Sequence, residues 1–191
     1  TTLLVLITAW ALAGWAQSNL LNVSYDVARD FYKDFNPLFQ KSWKAKTGET
    51  VELRQSHGGS SKQVRSVADG LEADVVTMNQ APDVDFLVEK GLVAKDYAKR
   101  FPNGASPYTS TMVFIVRKGN PKGLKDWSDL VNAGVQVILP HPKNTGNGRY
   151  SYLAAWGYAL KQPGASEKTA QEFVGKLLKN APLFAAGGRD A

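Results

Sequence analysis

Three stretches of this 191-residue chain join a turn of small or polar residues to the start of a helical pattern: Ser24-Tyr25-Asp26, Ser56-His57-Gly58-Gly59-Ser60-Ser61 and Asn144-Thr145-Gly146-Asn147-Gly148. The first turn of a helix carries backbone N–H groups without intrahelical partners, and its aligned peptides place roughly half a positive charge there. Glycines in the turn let the backbone approach a ligand closely. Each stretch can therefore cradle an anion, and three in one chain point to a small oxyanion. Taken singly, Gly58 and Gly59 could equally serve a tight turn, and Asp26 and Ser60 could equally be helix caps.

Hydrolysis is the competing use of such residues. Ser56-His57-Gly58-Gly59 could form an oxyanion turn of the lipase kind, but the chain has neither a Gly-x-Ser-x-Gly elbow nor a Gly-x-x-x-x-Gly-Lys-Ser/Thr phosphate loop. No cysteine is present, which removes disulfides, thiolate metal sites and cysteine nucleophiles. The two histidines, His57 and His141, lie far apart in sequence, so neither a metal site nor a cofactor is expected. His57 is expected to order its loop.

The elements that must position the cradles alternate in type. Leu20 to Ser24 has strand length, and Phe31, Phe35, Leu38, Phe39 and Trp43 then form one apolar face of a helix capped by Asp26, with a kink or restart at Pro37. Val51 to Leu53 reads as a strand and Ser60 as the start of a helix with Val64, Val67, Ala68 and Leu71 on one side. Asp74 to Met78 predicts a strand, and Pro82 to Lys90 a helix closed by Gly91. Beyond the turn-rich Pro102 to Pro107, the β-branched run Tyr108 to Lys118 predicts a long strand leaving one lobe and entering another. Val135 to Leu139 predicts a further strand, and helices follow over Arg149 to Lys161 and from Ser166. This order argues for a parallel sheet covered by helices, an α/β fold.

Composition agrees with a globular protein: 43% hydrophobic, 21% charged. The net charge is +6, but the lysines are scattered over helical patterns without a basic run, so nucleic acid is not an expected partner. Leu3 to Ala13 is an uncharged apolar run too short to span a bilayer comfortably, followed by the small-x-small pattern Gly14-Trp15-Ala16. Residues 1–16 read as the remnant of a secretory signal, with the mature protein starting near Gln17; a buried N-terminal helix is the alternative.

Five strings carry a family resemblance: Leu-Leu-Asn-Val-Ser-Tyr-Asp (20–26), Gln-Ser-His-Gly-Gly-Ser (55–60), Pro-Tyr-Thr-Ser-Thr (107–111), Val-Arg-Lys-Gly-Asn-Pro-Lys (116–122) and Tyr-Leu-Ala-Ala-Trp-Gly-Tyr-Ala-Leu (152–160). In this order and spacing the chain resembles the periplasmic sulfate- and thiosulfate-binding proteins of bacterial ATP-driven importers. The resemblance implies the two-lobed periplasmic binding protein fold of type II, with lobe I over 17–107, a crossover strand or hinge over 108–118, and lobe II over 119–191. It also implies a truncated second lobe, because family members continue past Ala191 and supply a further indole donor. Carried onto matching positions, the anion's donors would be the Asp26 amide, the Ser60 hydroxyl, the amides of Thr145, Gly146 and Asn147, and the Gly188 amide. The family usually has a Ser-Gly-Gly type third cradle where this chain has Thr-Gly-Asn, so the Asn147 side chain could narrow the site or alter its selectivity. Arg149 and Arg189 could neutralise the site from a distance or serve the structure. The implied protein is periplasmic, presents sulfate or thiosulfate to a membrane permease, and is a monomer at full length. A phosphate- or molybdate-type binder and a ligand-sensing regulator domain remain alternatives.

Overall fold

The computed structural model describes residues 18–191, so the signal-like run at 1–16 lies outside the described residues. β1 (Ser18–Tyr25) lies at the centre of a parallel three-stranded sheet. It pairs with β2 (Val51–Gly58) along its whole length, Ser18 opposite Val51 and Tyr25 opposite Gly58. On its other edge β3 (Val75–Thr77) pairs with Asn22 to Ser24. Alternation along β1 divides the sheet into unlike faces. Leu21 and Val23 join Val64 and Val67 of α2 (Ser60–Ala68) and Leu87 of α3 (Ala81–Glu89) in an apolar core. Asn22 and Ser24 point the other way, into a polar layer with Gln55, His57 and Thr77. The helix α1 (Ala28–Thr47) reaches this layer through Tyr32, whose hydroxyl lies 2.6 Å from that of Thr77.

After α3 come the short α4 (Tyr97–Arg100) and a distorted turn, α5 (Pro102–Ala105), with Asn103 and Gly104 at positive φ. A second body has its own parallel pair, β4 (Ile138–Pro140) with β5 (Leu183–Ala185). It is covered by α6 (Gly146–Leu160) and α7 (Glu167–Lys179). Its core is Leu130, Ala155, Val174 and Leu177, walled by Trp127, Val137, Leu139, Trp156 and Phe173. A 3-10 turn over Trp127–Val131 is opened by a capping box between Asp126 and Asp129, and the backbone N–H groups of Lys125 and Asp126 hold the Asp129 carboxyl below its ordinary range.

Several expectations change. Pro37 neither stops nor restarts α1, which runs as one helix past it. The rings of Phe31, Phe35, Phe39 and Trp43 stack in sequence at 5.4, 6.2 and 6.1 Å. Three such pairs at about 0.5–1.5 kcal/mol each are comparable with the roughly 3 kcal/mol that an internal proline costs. Leu38 stays exposed, off this ladder. Asp26 is not the cap: Val27 occupies that position without a side-chain bond. The Asp26 carboxylate instead accepts the Arg189 N–H at 3.1 Å, a long-range partner that competes successfully with capping.

Residues 108–117 form no strand, although their composition favours one. A strand needs a ladder neighbour, and no described segment supplies it; Val113 and Ile115 are 68% and 95% exposed. The strand expected over 135–139 starts later, at Ile138, and β5 was not anticipated.

Candidate functional site

Parallel strands deliver their carboxyl ends to one edge of a sheet, so the turns after β1, β2 and β3 gather there. The turn after β5 and the start of α6 meet them, and the closeness is visible at the glycines. A Cβ on Gly59 would collide with the Asn144 carbonyl oxygen and crowd Thr145 and Ala186. One on Gly187 would collide with the Asp26 carboxylate, and one on Gly188 with the Asn147 carboxamide. The structure thus brings Asp26, Ser60, Thr145, Gly146, Asn147 and Gly188 into one region, joined by Arg65, whose Nη2 donates to the Lys143 carbonyl at 3.0 Å.

Within that region, the N–H groups of Asp26, Ser60, Gly146, Asn147 and Gly188 make no hydrogen bond to the described residues. Two anticipated donors are already engaged. The Thr145 amide donates to the His141 carbonyl at 3.0 Å, and the Thr145 hydroxyl caps α6 by accepting the Gly148 N–H. The Ser60 hydroxyl, 1% exposed, donates to Asp83 Oδ2 at 2.5 Å. Asp83 was not singled out in the sequence, yet it organises this side of the site: it also accepts the Ser61 hydroxyl at 3.1 Å and pairs with Arg149 at 3.3 Å. Its position in the first turn of α3, facing another helix start, has no local signature. Arg149 further donates to Gln80 Oε1 at 2.8 Å and to the Ser61 hydroxyl at 2.6 Å.

Two of the nearby cations are compensated by carboxylates, while Arg65 is held by the Lys143 carbonyl and the Asn144 side-chain oxygen. Arg149 is matched by Asp83, and Arg189 by Asp30 at 2.9 Å. What faces the region without a partner is a set of backbone dipoles, which suits an anion without requiring a cation beside it. No cluster of acidic or histidine side chains among the described residues could hold a metal ion. No described helix is long and apolar enough to cross a membrane.

His57 stands opposite Ser24 in the β1–β2 register, with Nδ1 2.7 Å from the serine hydroxyl. Burial first, then the charges of Arg29 and Arg189, lower its pKa below the ordinary value. The unfolded chain therefore binds the His57 proton more readily than the folded one, and stability should fall as pH drops from about 6.5 toward the lowered pKa. Thermal melts between neutral and mildly acidic pH should show this loss, and His57→Gln should remove its share; an unchanged slope in the variant would assign the loss to other groups. The Tyr25 phenol, hydrogen-bonded to the Tyr108 hydroxyl, is pushed above its ordinary range mainly by burial.

The α/β fold is that of the periplasmic binding proteins of type II, and unpartnered amides gather at its strand ends. The chain belongs to the bacterial extracellular solute-binding protein family, whose model matches residues 23–191. It is 63% identical over 180 residues to the thiosulfate-binding protein of Pseudomonas aeruginosa, covering 94% of this chain and 54% of that protein. It is 52% identical over 170 residues to the sulfate-binding protein of Salmonella typhimurium, covering 89% of this chain and 52% of that one. Among solved structures, the sulfate-binding protein SubI from Mycobacterium tuberculosis superposes with a TM-score of 0.80 at 31% identity, over 91% of this chain and 59% of that one. The chain spans about half the length of the curated relatives it matches.

Proposed function

We propose that this protein captures sulfate or thiosulfate outside the cytoplasmic membrane, in the periplasm, and presents it to the permease of an ATP-driven importer. The observation that carries the reading is the convergence of the unpartnered Asp26, Ser60, Gly146, Asn147 and Gly188 amides, beside which Arg149 and Arg189 are already paired with carboxylates. These amides are the anion's donors, with Thr145 shaping the third cradle and Ser60 adding its hydroxyl if Asp83 yields it. Residues 17–107 and 119–191 act as the two lobes, with 108–118 between them as the hinge. The relatives named for sulfate and thiosulfate binding support this ligand class. No turnover is assigned: Ser24 and His57 pair as a nucleophile and base would, but Ser24 is 0% exposed and out of a substrate's reach.

A site of donors alone separates fully deprotonated anions from protonated ones. Sulfate offers acceptors in every direction, whereas hydrogen phosphate brings one proton with nowhere to go. Leaving that donor unmet costs about 1–3 kcal/mol, so calorimetry should show sulfate preferred over hydrogen phosphate by roughly tenfold to a hundredfold. Equal affinities would overturn the donor-only site.

A further inference from the structure

The third cradle contains a side chain whose amide has one end tied and the other free. Asn79 Nδ2 donates to Asn147 Oδ1 at 2.8 Å. The Asn147 Nδ2 is left beside Gly188 and Val27, where the helix starts and the β5 turn meet, with no hydrogen-bond partner among the described residues. A carboxamide held by its oxygen presents its N–H groups to the site.

The other end of this contact is unusual. Asn79 Oδ1 and Gln80 Nε2 are both buried without a partner, and Gln80 is only 7% exposed. The two atoms are neighbours, since a Cβ on Gly146 would collide with both. An orphan donor and an orphan acceptor side by side satisfy one another with a small side-chain rotation, recovering a desolvation cost of about 1–3 kcal/mol for each group. Gln80 itself is fixed in sense: its Oε1 accepts from Arg149 Nη1 at 2.8 Å, and a guanidinium can only donate.

We infer that Arg149, Gln80, Asn79 and Asn147 form a polarised amide relay that turns the Asn147 N–H groups toward the bound oxyanion, making Asn147 a selectivity determinant and Gln80 and Asn79 its positioning residues. This rests on the oxyanion-binding reading above. The direction is set by the obligate donor: Arg149 takes the Gln80 oxygen, the Gln80 nitrogen faces the Asn79 oxygen, and the Asn79 nitrogen takes the Asn147 oxygen. Reversing any amide would place two donors or two acceptors against each other. At the site, reversal would show an oxygen to the anion, repelling sulfate and accepting the proton of a hydrogen phosphate. The relay therefore biases the ligand class toward oxyanions without a proton. Helix starts supply this preference through the backbone, and Asn147 adds a side-chain donor whose sense is dictated from outside the site.

A double-mutant cycle tests it, with calorimetric titration of sulfate and of hydrogen phosphate into the chain and its Asn79→Leu, Asn147→Gly and doubly substituted variants. Each single change should lower the sulfate-to-phosphate affinity ratio by about tenfold, and the double variant should fall no further than either alone, because both remove the same oriented donor. Gln80→Glu, which replaces the donor facing Asn79 with an acceptor, should reproduce the loss even if Asn79→Leu fails to fold. An unchanged ratio in Gln80→Glu, or additive losses in the cycle, would overturn the relay while leaving sulfate binding by the parent intact. Absence of sulfate and thiosulfate binding by the parent would instead overturn the oxyanion reading, and the relay with it.

Discussion

Gly59→Ala is expected to weaken oxyanion binding by about 30- to 100-fold while leaving the chain folded. Gly59 has φ −56° and ψ 129°, angles open to any residue, so alanine there causes no backbone strain. The obstacle is steric and sits on the other body: the new methyl would overlap the Asn144 carbonyl and press on Thr145 and Ala186. Relief requires the α2 and α6 helix starts to separate, and on the proposed reading their N–H groups reach one small anion together. Losing one or two hydrogen bonds to a charged acceptor, at about 1.5–3 kcal/mol each and partly recovered by water, gives a loss of about 2–3 kcal/mol. Calorimetry with sulfate measures it. Gly175→Ala is the control, because a Cβ in that helical position meets open space and should leave affinity unchanged while raising stability by up to about 1 kcal/mol. Full affinity in Gly59→Ala would show that the two helix starts do not share a ligand.

Asp83→Ala should be the most destabilising substitution near the site. The carboxylate is 4% exposed as a residue and accepts from Ser60, Ser61 and Arg149. Truncation takes the carboxylate acceptor from two buried hydroxyls and from the Arg149 guanidinium, which keeps only Gln80 and Ser61. Breaking a buried ion pair from one side costs about 3–5 kcal/mol, and because the Arg149 side chain is 32% exposed and can regain water, the lower end is expected, about 3 kcal/mol. Urea denaturation at neutral pH, followed by far-ultraviolet circular dichroism, should show the midpoint fall. Asp83→Asn, which keeps one of the two accepting oxygens, should lose less. An unfolding free energy within about 0.5 kcal/mol of the parent's would mean the network is replaceable by solvent.

The cradles were legible in the sequence because their signals are local: small residues at a strand end, then a helical period. Ser60, Gly146 and Asn147 stand at helix starts for that reason. The alternation of strand and helix was also local, and the parallel β1, β2 and β3 follow from it. What escaped depends on partners far along the chain. Asp26 resembles a cap until Arg189 offers its N–H, and Asp83 resembles an ordinary first-turn acid until Ser60, Ser61 and Arg149 close around it. The restart expected at Pro37 does not occur, and the rings stacked across it lie on the helix's own surface. The run from Tyr108 has every local property of a strand, but pairing is a property of two segments. Gly188 was reached only through the family resemblance, since the β5 turn that carries it has too few residues to show a period.

The bond from Arg189 N–H to the Asp26 carboxylate joins positions 163 residues apart. Contacts of such separation form late, because a long loop must close before they return anything. One wall of the binding region follows β1 and another follows β5, so partly folded chains have cradles without a completed receptor. Ligand affinity is then confined to the finished molecule, and an anion that binds only that state draws the folding equilibrium toward it by mass action. On the oxyanion-binding reading proposed above, the supply of the ligand would help decide how much of the protein survives proteolysis.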